Sequence, residues 1–263
     1  MYLARSIAVV IPSYNEENFV AHTISKVPSF VDWIIVVDDA SSDGSLQAIT
    51  KAQTTKVQIV NHKNNLGVGA ATISGYRSAL ALGANIIVVM DGDGQMDARD
   101  LPVLLNALIT YGYDYVKGNR FLDKSIKAMP KLRYIGNFTF SHLMRYALNL
   151  PFTIDTQCGY TAITSQAIKK IDLDQLYPRY GFLNSLLFCL AEKNMHIGTV
   201  PVRTIYGKEK SDINPLITIP TIFYIILLGY LRRVFINYFG KPTVTSKSNP
   251  LSINYNNYKE QAE

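Results

Sequence analysis

Short apolar runs alternate with amphipathic stretches along the first 120 residues of the chain. The runs are rich in Val and Ile, which predicts strands buried on both faces. The predicted strands are residues 6–11, 33–37, 57–60, 86–90 and 113–117. Helices are predicted between them, to about Val27, to about Ala52, over 70–82 and over 97–111. This alternation predicts an α/β fold with a mostly parallel, Rossmann-like sheet and helices on both faces.

Several residues predict where these helices begin and end. Ser13 to Glu16 matches a capping box, which favours a helix directly after the first strand. A second cap is predicted at 42–45, and Gly83 is predicted to stop the third helix. Asp97 is expected to cap the fourth helix rather than to take part in chemistry.

The second half of the chain is less regular. Its pattern predicts a loop entering a strand over 155–161, a strand over 197–205, and helices over 129–150, 165–171 and 180 to about 193.

Residues 216–231 form the most hydrophobic stretch of the sequence, and Arg232 and Arg233 follow it. As a helix it is about 24 Å long, short of a hydrocarbon core of roughly 30 Å. We expect it to lie in a membrane interface or to dip into one leaflet. A single membrane span and a partner-binding helix are the alternatives. Three regions follow: a catalytic domain over 1–213, a membrane-associated helix over 214–239 and a flexible polar tail over 240–263.

Composition and charge narrow the possible partners. Two cysteines among 263 residues argue against a disulfide framework, and the apolar run at 7–11 is too short for a signal peptide. The net charge is +6, and residues 117–145 hold seven basic side chains and one acid. That basic segment suits an anionic membrane surface or a phosphorylated substrate. It contains no nucleic-acid-binding motif, so no nucleic-acid partner is expected.

The sequence VVMDGDGQMD at 88–97 is the strongest candidate for chemistry. Asp91, Asp93 and Gln95 follow a predicted buried strand, and their oxygens suit Mg²⁺ or Mn²⁺. A turn with solvated acids explains this motif equally well when it is taken alone. However, the carboxyl ends of parallel strands meet at one sheet edge, which would bring Glu16 and Asp39 to the same site. All four histidines are interpreted as structural or surface residues.

Several motifs together resemble family 2 glycosyltransferases of the GT-A fold. The resemblance covers residues 6 to about 215, and the motifs keep the family's order and spacing. Later motifs are similar to the subgroup of dolichol-phosphate mannose synthases and polyprenol-phosphate glycosyltransferases. The residues that carry the resemblance are VVIPSYNEEN (9–18), VVDDASSDGS (36–45), NLGVGAATISGYRSAL (65–80), MDGDGQMD (90–97), KGNRF (117–121), DTQCGY (155–160), YGF (180–182) and VRTIY (202–206).

The resemblance implies that the enzyme transfers a hexose from a nucleotide-sugar to a polyprenyl or dolichyl phosphate, with inversion and with a divalent metal. GDP-mannose is the first expectation for the donor and UDP-glucose the second. The protein would then work at the cytoplasmic face of a membrane, held there at the periphery or by a single helix. The implied donor-nucleotide contacts are Pro12, Tyr14, Glu16, Asp39 and Asp91.

The resemblance also implies that Asp93 and Gln95 ligate Mg²⁺ or Mn²⁺. Asp93, Arg120 and Arg203 would carry the catalysis, and the two arginines, with Lys210, would contact the lipid phosphate or the diphosphate. Met96 replaces the subgroup's usual His, and residues 183–185 lack its frequent carboxylate, which leaves the sugar and the acceptor open. The alternatives are a glycosyltransferase with a polysaccharide or other non-lipid acceptor, a sugar nucleotidyltransferase, and a membrane-attached nucleotide-sugar-binding protein.

Overall fold

A computed structural model describes residues 1–150, 152–206 and 215–239. The strands are β1 (Ile7–Ser13), β2 (Trp33–Asp38), β3 (Val57–Asn61), β4 (Ile86–Val89), β5 (Tyr115–Asn119), β6 (Thr161–Thr164) and β7 (Ile197–Pro201). The α-helices are α1 (Val20–Lys26), α2 (Ser45–Lys51), α3 (Val68–Ala81), α4 (Leu101–Thr110), α5 (Lys131–Leu148), α6 (Ser165–Lys169), α7 (Phe182–Glu192) and α8 (Pro215–Phe239).

All seven strands form one sheet in the order β3-β2-β1-β4-β6-β5-β7. Only β6 runs antiparallel to its neighbours, so the prediction of a mostly parallel sheet is confirmed. Alternate residues of each strand enter two separate apolar cores, one on each face of the sheet. Val10 and Ile87 point to the side of α3 and α7, whereas Val9 and Val88 point to the side of α1 and α4. Helices therefore cover both faces, as the continuous apolar runs predicted.

The predicted capping box at Ser13–Glu16 is wrong. Ser13 ends β1, and α1 begins only at Val20, without a side-chain cap. Asn15 has a left-handed backbone (φ +56°), which an α-helix cannot contain. Its backbone N–H donates to Ser41 Oγ at 3.0 Å and its side-chain oxygen accepts from Ser42 N–H at 2.8 Å. Contacts with the loop after β2 therefore override the local capping signal.

Other boundaries differ less from the predictions. Asp97 does cap a helical turn, since its carboxylate accepts from Arg99 N–H at 3.0 Å and a 3₁₀ turn at Ala98–Asp100 leads into α4. Gly83 follows α3 with φ +79°, as expected for a stop. The last strand is shorter than predicted and ends at Pro201, because the chain then turns towards the loop after β4.

Helix α8 lies along α5 and α7. Ile222 and Ile226 are buried there, and the Phe223 ring packs edge-on against Phe140 with 5.2 Å between centroids. Arg232 pairs with Glu192 of α7 at 3.1 Å. By length and composition alone, residues Pro215–Phe235 could cross a membrane, and only 11% of their most apolar window is buried. The predicted boundary at residue 213 and the tail from 240 lie outside the described residues.

Candidate active site

The loops that follow β4, β5 and β7 enclose one polar pocket at the carboxyl edge of the sheet. The segment before β6 and the first turn of α5 close its other sides. The residues that line it include Asp91, Asp93, Gln95, Arg120, Arg133, Gln157, Cys158, Gly159 and Arg203. Both carboxylates of the DGDGQ motif thus share a pocket with three arginines from distant parts of the chain.

The loop after β4 is organised by its own side chains. Asp93 accepts from the backbone N–H of Gln95 at 2.9 Å and from its side-chain amide at 2.8 Å. Gly94 has φ +74°, a conformation that a side chain would strain. Gly92 N–H donates to Pro12 O at 3.2 Å, so this loop rests on the end of β1. These contacts hold Asp93 and Gln95 side by side.

Asp91 packs closely against the backbone of Gly159. A Cβ atom added to Gly159 would lie only 2.6 Å from Asp91 Oδ2, so the backbone there leaves no room for a side chain. Burial, and secondly the neighbouring Asp93 carboxylate, raises the pKa of Asp91 to about 7, although Lys117, Arg120 and Arg133 act in the opposite direction. Two acids held this close favour a cation between or beside them.

The oxygen donors of this loop fit a divalent metal. Among the described residues no group of three or more His, Cys, Asp or Glu side chains could hold a metal by itself. Asp93 and Gln95 lie side by side and could supply two oxygen ligands, and their binding of a metal stays a prediction. Carboxylate and amide oxygens are the ligands that Mg²⁺ and Mn²⁺ take, and the raised pKa of Asp91 shows that added positive charge would be favourable.

Two of the predicted phosphate-binding arginines already have carboxylate partners. Arg120 is buried and makes a two-pronged ion pair with Asp155, with distances of 2.6 and 2.9 Å. Arg203 donates through its backbone N–H and its Nε to Asp100, at 2.7 and 2.9 Å, and its side chain remains 40% exposed. Arg203 could still turn one face to a ligand, whereas Arg120 is buried and uses Nε and Nη2 to bind Asp155. Their phosphate contacts stay predictions, and Lys210 lies outside the described residues.

Arg133 differs from both of them. It is half-buried on the first turn of α5 and lines the pocket, yet no carboxylate among the described residues pairs with it. Sequence reasoning placed it in the basic segment without singling it out. The sequence signal for Arg133 was weak, because nothing distinguishes this arginine from the other basic residues of the segment.

The segment after β7 closes the pocket from above. Ile205 N–H donates to Gln95 O at 2.9 Å, and Thr204 forms a β-bridge with Met96. The ion pair between Arg203 and Asp100 lies at the same junction. The VRTIY motif is thus bonded to the loop after β4, which explains how two motifs more than 100 residues apart contribute to one site.

The predicted donor-nucleotide residues lie along the neighbouring strand ends. Pro12 is buried at the end of β1, and Tyr14 follows it with 38% of its surface exposed. Glu16 is half-buried, and its backbone N–H donates to Ser45 Oγ at 2.7 Å. The structure thus brings these residues to the edge that carries Asp91, and their contacts with a nucleotide stay predictions.

Asp39 has a set of internal partners that the sequence did not reveal. One oxygen faces His62 Nδ1 at 2.6 Å and accepts from Leu66 N–H at 2.9 Å, while the other accepts from Gly67 N–H at 2.7 Å. His62 Nε2 in turn lies 2.9 Å from Ser74 Oγ. Asp39 therefore fixes the glycine-containing loop before α3, where it occupies the positive end of that helix. His62 takes part in this hydrogen-bond network, and the predicted contact of Asp39 with a base or ribose remains a prediction.

Comparison with known proteins gives consistent matches. Residues 8–171 match the model described as "Glycosyl transferase family 2". The chain is 31% identical to a UDP-N-acetylglucosamine–dolichyl-phosphate N-acetylglucosaminyltransferase of Methanococcus voltae, over 87% of this chain and 97% of that protein. It is 32% identical to an undecaprenyl-phosphate mannosyltransferase of Micrococcus luteus, over 74% and 82% of the two chains.

A solved structure confirms the architecture. Glucosyl-3-phosphoglycerate synthase of Mycobacterium tuberculosis, in complex with Mn²⁺, UDP and glucosyl-3-phosphoglycerate, superimposes with a TM-score of 0.62 at 20% identity. The match covers 88% of this chain and 80% of that one. At this identity the likeness establishes the GT-A fold alone.

Proposed function

Since the chain belongs to glycosyl transferase family 2, within its polyprenol-phosphate glycosyltransferase subgroup, we propose that it transfers a hexose from a nucleotide-sugar to a polyprenyl or dolichyl phosphate. One observation carries the proposal. Asp91, Asp93 and Gln95 share a pocket with Arg133, whose charge has no carboxylate partner among the described residues. One part of this cavity can bind a metal and a nucleotide, and another part can bind an anion.

The chemistry follows from where the charges lie. An oxygen of the lipid phosphate attacks the anomeric carbon, and the bond from that carbon to the nucleoside diphosphate breaks. The second pKa of a phosphate monoester is about 6, so the acceptor is already largely an anion and needs no general base. Arg133, together with the exposed face of Arg203, would bind and orient this phosphate.

Asp93 and Gln95 would hold the divalent cation. When bound, such an ion neutralises the negative charge that grows on the departing diphosphate. Pro12, Tyr14, Glu16 and Asp91 would contact the nucleotide along the ends of β1 and β4. The Mycobacterium tuberculosis structure is a complex with both Mn²⁺ and UDP, which supports a divalent metal in general terms.

For the sugar, the proposal keeps GDP-mannose as the first donor and UDP-glucose as the second. The undecaprenyl-phosphate mannosyltransferase supports mannose, whereas the relative from Methanococcus voltae carries N-acetylglucosamine in its name and adds a third candidate. The names of both relatives contain a polyprenyl-type phosphate, which supports the lipid acceptor over a polysaccharide.

The activity test is a direct assay. The purified protein is incubated with polyprenyl phosphate, with Mn²⁺ or Mg²⁺, and with GDP-mannose, UDP-glucose or UDP-N-acetylglucosamine. We expect a glycolipid product from one donor and none from the matching polyprenol, which lacks the phosphate. Folded protein that forms no product with any donor would refute the proposal.

A membrane-contact surface on α8 and α5 supports a lipid acceptor. The exposed side of α8 is almost entirely apolar and includes Leu216, Ile217, Ile219, Phe223, Tyr224, Leu227, Leu228, Leu231 and Phe235. Exposed apolar residues of α5, including Leu132, Ile135 and Phe138, extend it. Arg233 donates to Ala147 O of α5 at 3.3 Å, so the arginines that follow the apolar run are bonded to the domain. These contacts support a helix lying in the membrane interface rather than one that crosses the bilayer.

Charged substitutions on this membrane-contact surface provide the test. The double variant Leu227→Glu/Leu231→Glu should lose most of its binding to anionic vesicles, measured by co-sedimentation. Its melting temperature should stay close to wild type, because both side chains are more than half exposed. Tyr111→Glu, at an exposed position on the end of α4, is the matched control and should bind normally. Equal vesicle binding by the double variant and the control would contradict the proposed surface.

A further inference from the structure

Lys117 of β5 is a fully buried lysine that the proposed chemistry leaves unused. Its Nζ donates to the backbone oxygen of Cys158 at 2.5 Å, and no carboxylate among the described residues lies within ion-pair distance of it. An ammonium group carries three donors and is strongly hydrated in water, so burying it with one neutral acceptor is unfavourable. A methionine or leucine would fill the same space at a lower cost. The fold therefore keeps a charge here for a reason other than packing.

The ammonium group lies directly behind the wall of the pocket. Its acceptor, Cys158, lines that pocket, and the next residue, Gly159, is the one packed against Asp91. A short stretch of backbone thus separates the charge of Lys117 from the space that a ligand would occupy. The hydrogen bond also fixes the wall, because it orients the Cys158 carbonyl away from the pocket and into the core.

The buried side chains behind this wall carry a net positive charge. Lys117 and Arg120 both interact with the fully buried carboxylate of Asp155 and with Asp91, whose carboxyl is only partly ionised at neutral pH because its pKa is raised to about 7. These two bases and two acids therefore keep a net positive charge, smaller than one full unit, inside the protein, where charges are poorly screened. Burial lowers the pKa of Lys117 to about 8, and the neighbouring acids keep it from falling further, so the side chain remains a cation at neutral pH.

We propose that Lys117 is a positioning residue whose buried charge, acting through the Cys158–Gly159 wall, holds the diphosphate of the nucleotide-sugar in the pocket. This inference rests on the proposed function, because it takes a nucleoside diphosphate as the ligand. It adds a fixed positive charge beneath the pocket, separate from the arginines that line it. A nucleoside without phosphates would gain nothing from this charge.

The test compares a charged ligand with its uncharged counterpart. Binding of UDP and of uridine, or of GDP and guanosine, is measured with Mn²⁺ for wild type and for Lys117→Met. We expect the variant to bind the diphosphate about tenfold more weakly or worse and the nucleoside equally well. Its melting temperature should match or exceed that of the wild type, since a buried charge has been removed.

The matched control is Thr199→Val. The Thr199 hydroxyl donates to Lys117 O at 3.1 Å, so this variant alters the same strand pair without touching the charge, and it should bind both ligands normally. Equal loss of the diphosphate and the nucleoside in Lys117→Met, or no loss of either, would overturn the inference. Should that variant fail to fold, Lys117→Gln is judged by the same two outcomes. Failure of the wild type to bind any nucleoside diphosphate would refute the proposed function instead.

Discussion

Two acidic stretches lie at the ends of the strands on either side of β1, Asp38-Asp39 at the end of β2 and Asp91 to Asp93 after β4, and their carboxylates have different surroundings. Asp39 is buried and satisfied, with His62 and two backbone N–H groups around its carboxylate. Asp91 and Asp93 face a pocket and each other, and the pKa of Asp91 is raised by burial and by its neighbour. The Asp39 carboxylate is thus satisfied by groups of the protein, whereas Asp91 and Asp93 lie in a pocket where we expect a cation to bind.

The comparison teaches that an acid after a buried strand is not by itself a ligand site. What differs is the supply of donors from other parts of the chain. The loop before α3 brings two N–H groups to Asp39, whereas the loop after β4 brings Asp91 a second carboxylate.

Removing the Asp93 carboxylate, which we propose as a metal ligand, should have the largest effect on activity. Asp93→Ala is expected to lower sugar transfer at least about 1000-fold, because a ligand of the cation is lost. Circular dichroism and the melting temperature should show an intact fold, since Asp93 is half-exposed. Near-normal turnover by this variant would count against the metal assignment.

Removing the Asp39 carboxylate should lower stability instead. Asp39→Ala is expected to lower the free energy of unfolding by about 3 kcal/mol, because two buried N–H groups and His62 lose their acceptor. Urea denaturation measures this loss. Asp174→Ala is the control, since Asp174 pairs with Arg77 at the surface, where its side chain is 81% exposed, and should cost less than about 1 kcal/mol. An Asp39 variant as stable as this control would contradict the difference between Asp39 and the acids after β4.

A single methyl group should test how closely the pocket is built around Asp91. Gly159→Ala places a Cβ 2.6 Å from Asp91 Oδ2, so the carboxylate or the wall must move. We expect a fall of about 10- to 100-fold in kcat/KM with little change in overall fold. Gly136→Ala is the control, because nothing lies within 4 Å of the Cβ that it would add. Full activity in the Gly159 variant would show that Asp91 can shift without consequence.

The pH dependence of metal binding should give the smallest effect. The folded-state pKa of Asp91, about 7, lies above the ordinary carboxyl value, so the folded protein holds a proton that the unfolded chain releases. Stability without metal should therefore fall as the pH rises towards 7. Over the same range Mn²⁺ affinity should rise, by about tenfold per pH unit at most, as measured by calorimetry. The trend in affinity should disappear in Asp91→Asn, and an unchanged slope in that variant would place the titrating group elsewhere.

Much of this molecule could be predicted from local pattern. The strands β1 to β5 and the helices between them follow from apolar runs and stop signals, because each depends on residues a few positions apart. The one clear local error, the capping box at Ser13, arose where the loop after β2 binds Asn15 and forces a left-handed backbone. The structure brings the motif residues to one edge of the sheet, as expected. The sequence did not single out Arg133 and Lys117, because neither their spacing nor a run of charge distinguishes them.

By itself, the sequence determined the order of the elements, the two-sided burial of the sheet and the position of the acidic loop after β4, because periodicity and strand ends are local properties. The tertiary structure alone decided which charged side chains form ion pairs inside the protein. Asp155 engages Arg120 from 35 residues away, and Asp100 engages Arg203 from 103 residues away. Such pairings depend on how the strands lie in space, and no local pattern encodes them. They separate the arginines already held by carboxylates from the one left facing the pocket.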